Sequence, residues 1–139
     1  MSNEVLARKL AAIRARTARV RELLPPSAAE FIARRTEAEA LILNLYLALQ
    51  ECSDLALHLV ADLGLSIPGD TRAAFDALSR SGLLPTDLAR KLGAAVGLRN
   101  RIAHEYGGLD LEKVYAAARD DLGDLDAYAD AVARARLQA

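Results

Sequence analysis

Apolar residues recur along this chain at spacings of three, four and seven, and the two-residue alternation of a half-buried strand appears nowhere. The pattern predicts helices throughout. Leu6, Leu10, Ile13, Val20 and Leu24 mark the inner face of a first helix, with Ser2 or Asn3 as its N-cap and Pro25-Pro26 as its stop. Ser27, with Glu30 three residues on, reads as a capping box opening a second helix. From there no breaker occurs before Gly64, so the spacing predicts one helix of roughly 55 Å at 1.5 Å per residue, long enough to bend or overhang. The stretch GLSIPGD (64–70) is a loop. Asp70 or Thr71 then opens a short helix to about Ser81, closed by Gly82. Pro85-Thr86 starts another, in which Gly93, Ala94, Ala95 and Gly97 form a small-residue surface that suits close approach of another backbone. Asp110 caps a last helix running to about Arg136. The expected fold is an all-α antiparallel bundle of four main helices plus a short one.

Composition narrows this picture. At 139 residues the chain is the size of one domain, 1–139, with a single core. Apolar residues make up 53% but aromatics only 4%, so Leu, Ala, Ile and Val must build that core. A net charge of −1 gives no global basic surface for nucleic acid, although the charge is uneven. Residues 1–35 hold eight Lys/Arg against three acids, and residues 110–130 hold seven acids against two bases. The lone Cys52 permits no internal disulfide and fits a reducing compartment. No signal-peptide core is visible, and Asn44, Gln50 and Asp54 interrupt the longest apolar stretch, so a cytoplasmic protein with no membrane span is expected.

One stretch concentrates chemistry. Residues 99–108, RNRIAHEYGG, gather Arg99, Asn100, Arg101, His104, Glu105 and Tyr106 in a chain with two histidines in all. Asn100 and His104 share a helix face, as do Arg99 and Tyr106, whereas Arg99 and His104 stand about 140° apart on an ideal helix. Gly107-Gly108 predicts a left-handed helix end that would let the His104 ring swing toward Arg99. A guanidinium offers a planar fork for phosphate oxygens, and an imidazole takes and gives protons near neutral pH. With no cysteine cluster, paired histidines or carboxylate cage for a metal, the set suits metal-free phosphodiester chemistry on RNA, whose 2′-hydroxyl is itself the nucleophile. A capping or surface histidine gives the same spacing.

RNRIAHEYGGLD, in its context, resembles the signature of the HEPN superfamily, specifically the HepT-like toxins: Arg99, a polar Asn100, His104 and Tyr106. ALQECSDLALHLVADLGLSIPGD (48–70), AFDALSRSGLLPTDLARKLGAAVGLRNRIAHEY (74–106) and LDLEKVYAAARDDL resemble the flanking segments, weakest over residues 1–40. The resemblance implies a helical two-fold homodimer whose motifs form one composite, metal-independent, RNA-cleaving groove. Arg99 and His104 would be catalytic, with Asn100 orienting His104 or touching the backbone. It implies no cofactor. It also implies a partner, a minimal nucleotidyltransferase antitoxin that transfers AMP to Tyr106. Asp54 would buttress Arg99 or pair locally with His58, Arg101 would add a phosphate contact, and Glu105 would oppose RNA slightly. Tyr46 and Tyr115 read as core or interface aromatics. The alternative is a non-catalytic dimer that serves as adaptor for the nucleotidyltransferase.

Overall fold

The computed structural model describes residues 1–66 and 69–137. Among these the chain is helical with no strand, in the order α1 (Asn3–Leu23), α2 (Ala28–Ala33), α3 (Arg35–Asp62), α4 (Thr71–Arg80), α5 (Thr86–Glu105), a 3-10 turn (Tyr106–Gly108), α6 (Leu111–Asp120) and α7 (Leu122–Arg136). The boundaries follow local chemistry. Ser2 accepts from the Val5 N–H, Ser27 from Glu30, Asp70 from Ala73 and Asp110 from Lys113, so each side chain satisfies an otherwise unpaired helix N–H. Gly64 (φ +67°) and Gly82 (φ +88°) end α3 and α4 in the left-handed region, and the Leu65 and Leu83 N–H groups bond back to Val60 and Leu78. Ile67 and Pro68 of the expected 64–70 loop lie outside the described residues.

Two expected helices are each divided. The long one breaks at Arg34 (φ −103°, ψ 77°), and the last one breaks at Asp121 (φ −107°, ψ −3°). Neither position carries a proline or glycine; tertiary packing decides both. The first break turns α2 so that Phe31 meets Tyr115 of α6, ring centroids 5.8 Å apart. The second leaves α6 on α2 while α7 packs along α1 and α5.

α3 is the central helix, covered by α1, α4 and α5. It is long and apolar enough to cross a membrane by length and composition, but Leu41, Leu45, Leu55 and Leu59 are buried against the other helices. The core closes around Phe75 and Tyr128, set edge to face at 5.5 Å, with the Tyr128 hydroxyl donating to the Cys52 carbonyl at 3.0 Å. Burial pushes the Cys52 thiol far up, so it acts as a small apolar filler. The uneven charge resolves within the fold: Arg14 pairs with Asp130 and Arg21 with Asp126, joining basic α1 to acidic α7.

Candidate functional site: the C-terminal end of α5

Ala89, Leu92, Leu98 and Ile102 recur at helical spacing on the buried side of α5 and fix its rotation. That rotation puts Arg99 at the α3 boundary, half-buried, with Asn100, Arg101, His104 and Glu105 exposed. Arg99 is held from two sides. Its Nη1 donates to Gln50 Oε1 on α3 at 3.1 Å, and its Nε and Nη2 donate to Asn100 Oδ1 at 3.3 and 2.9 Å. Three of the five guanidinium N–H groups are engaged, which leaves two for a ligand. Gln50 is fixed in turn, its Nε2 donating to Asp54 Oδ1 at 3.0 Å.

Several expectations change here. Asp54 supports Arg99 through Gln50 and does not touch it, and its partner is Gln50, not His58. Sequence reading passed over Gln50 as a mere interruption of an apolar run; its place one turn before Asp54 was the available signal. Asn100 Oδ1 accepts from Arg99, and no bond joins Asn100 to His104 among the described residues. Arg101, two residues from Arg99, points the other way, into a cavity of about 550 Å³ between α5, α6 and α7 that Lys113, Asp121 and Asp124 also line. There burial, then Asp124 and Asp120, raise the Asp121 carboxyl. Within the chain, Gly93 packs on the Arg72 side chain and Gly97 faces Arg101.

The helix end also differs from expectation. Gly107 and Gly108 do not take positive φ. α5 runs regularly through His104 and turns at Glu105 (φ −130°, ψ 29°) into the 3-10 turn, because Leu109 must reach the core before Asp110 caps α6. His104 therefore stays in a regular last turn, and no swing carries it to Arg99. The two remain about 140° apart around one helix. Tyr106, in the 3-10 turn, is 49% exposed. Tyr115 is buried as expected, its hydroxyl donating to the Pro25 carbonyl at 2.7 Å. Among the described residues no three His, Cys, Asp or Glu side chains cluster as metal ligands.

This arrangement presents a braced guanidinium with open N–H groups and an exposed imidazole on one helix. The family model described as Ribonuclease HepT-like matches residues 13–132. The chain belongs to that family. Among curated HepT-like relatives, the mRNA nuclease HepT of Shewanella oneidensis is 28% identical over 130 residues, covering 94% of this chain and 97% of the relative. Among solved structures, the tri-AMPylated Shewanella oneidensis HEPN toxin in complex with its MNT antitoxin superposes with a TM-score of 0.85 at 28% identity, covering 95% of this chain and 98% of that one. A toxin–antitoxin complex with AMP-PNP gives 0.84 at 27% identity over 95% and 99%. The fold is that of the HEPN toxins, as the motif resemblance implied.

Proposed function

We propose that this HepT-like chain is the toxin of a toxin–antitoxin pair: an endoribonuclease of the cytoplasm that works as a two-fold homodimer and needs no metal. The braced Arg99 carries this reading. Its two open N–H groups suit the charge of a pentacovalent phosphate, and their bracing means little reorganisation during reaction. His104 removes the proton of an RNA 2′-hydroxyl; the 2′-oxygen attacks the adjacent phosphorus and the P–O5′ bond breaks. The 5′-oxygen leaves with a proton from solvent water, the proton held by His104 returns to solvent, and a 2′,3′-cyclic phosphate remains. Because His104 stays away from Arg99 on its own helix, the working pair is Arg99 of one protomer with His104 of the other. The names of the Shewanella relatives support both the nuclease and its control.

Control acts at Tyr106. A nucleotidyltransferase antitoxin joins the exposed tyrosine oxygen to the α-phosphorus of ATP, and pyrophosphate departs. The added phosphate places negative charge beside Arg99 and His104 and repels RNA.

The test is incubation of the purified protein with RNA in EDTA. Cleavage with cyclic phosphate ends, lost in Arg99→Ala and His104→Ala while the dimer persists, is the expected result. Inert parent protein would favour the adaptor reading. Intact mass after co-expression with the antitoxin should rise by whole AMP groups, and Tyr106→Phe should abolish the gain.

A further inference from the structure

A second cavity, also about 550 Å³, opens between α3 and α5, about one turn along the helices from the braced arginine. Ile42, Leu43 and Tyr46 line it from α3, Ile102 and Ala103 from α5, and Tyr106 from the 3-10 turn. The one carboxylate on its rim, Glu39, is already paired with Arg35 at 2.9 Å. Leu43 (56% exposed) and Tyr106 stand open at the mouth, an arrangement that isolated surface residues do not produce.

Position gives this cavity its meaning. α3 and α5 run antiparallel here, with the Gln50–Arg99 bond marking the level of the phosphate fork. Tyr46 lies one turn before Gln50, and Ile102 and Ala103 lie about one turn beyond Arg99. The cavity therefore begins about 6 Å along the helices from the fork. His104 follows Ala103 and sits at the same axial level. A nucleotide whose phosphate rested on Arg99 would have this space within reach of its base, since one helical turn separates the two. No basic residue neighbours Tyr46 in sequence, yet in space Arg99 stands one turn away.

We propose that this cavity is a base pocket: it receives an unstacked RNA base adjoining the scissile phosphate, against the Tyr46 and Tyr106 rings. The inference rests on the ribonuclease reading above and adds its selectivity. The lining is aliphatic and aromatic, and its polar atoms are chiefly two tyrosine hydroxyls. Such a wall holds a base by stacking and size and does not read its hydrogen-bonding edge, so it favours purines, which stack over more area. An adenylyl group on Tyr106 would lie at the mouth of the same pocket and exclude the base directly.

The experiment uses the purified parent protein and Tyr46→Ala on RNA oligomers that differ only in the nucleotides flanking one cleavage site. The parent should cut next to purines about tenfold faster than next to pyrimidines, and Tyr46→Ala should lose that preference while still cutting. A His104→Ala protein should quench a 2-aminopurine placed at the preferred position, and adding Tyr46→Ala should remove the quenching. If Tyr46→Ala keeps the parent's base profile, the pocket assignment is wrong and the nuclease stands. If Tyr46→Ala falls to a monomer by light scattering, the cavity is a contact face between copies, and the proposal also fails. A parent protein that cuts no RNA sinks the ribonuclease reading and the pocket with it.

Discussion

Tyr128 and Arg99 both reach across helices with polar groups, and they end differently. Tyr128 is fully buried, its ring edge set on Phe75 and its single O–H donated to Cys52. Nothing is left over. Arg99 is held just as firmly, by Gln50 and Asn100, but at the surface and with N–H groups to spare. The first arrangement closes a core, and the second leaves a cation open to a ligand, as the proposed function requires. Stability and chemistry therefore rest on separate polar groups, and substitutions should separate them.

The largest structural effect belongs to the closed region. Tyr128→Ala removes a buried ring and its hydrogen bond to the Cys52 carbonyl, and should cost about 3–5 kcal/mol of unfolding free energy in urea titration. Arg99→Ala should do the reverse: melting temperature nearly unchanged, RNA cleavage down a hundredfold or more. If Arg99→Ala unfolds the protein, the contrast collapses. Gln50→Ala sharpens it. Losing the brace but keeping the guanidinium should reduce kcat about tenfold, less than removing Arg99 itself.

The smallest effect depends on pH. Asp87, in the first turn of α5, is held below the usual carboxylate range by its hydrogen bond from Arg90 and by the charges of Arg90 and Lys91. A carboxyl lowered on folding stabilises the native state above its unfolded value of about 3.9, and that contribution fades as pH falls through the folded value. Asp87→Asn should therefore lower the melting temperature slightly at neutral pH and by less at about pH 2, as the carboxyl takes up its proton. An equal difference at both pH values would show that the ion pair is not the cause.

The elements legible in the sequence are those with a local cause. Ser27, Asp70 and Asp110 cap because their side chains reach N–H groups three residues on, and Gly82 stops α4 because it alone tolerates that φ. The breaks at Arg34 and Asp121 have no local cause, only the packing of Phe31 on Tyr115 and of α7 on α1. At the site, Arg99, His104 and Tyr106 stood out by type and spacing. Gln50 and the turn of Arg101 into another cavity did not, because both depend on how α5 is rotated against α3.

Subunit mixing tests the central claim most directly. Arg99→Ala and His104→Ala proteins, each inactive alone, are unfolded together, refolded and assayed on RNA. If arginine and histidine come from opposite protomers, each mixed dimer keeps one intact pair, and activity should return to roughly a quarter of the parent's. A mixture that forms heterodimers yet stays as inactive as either parent variant would contradict it.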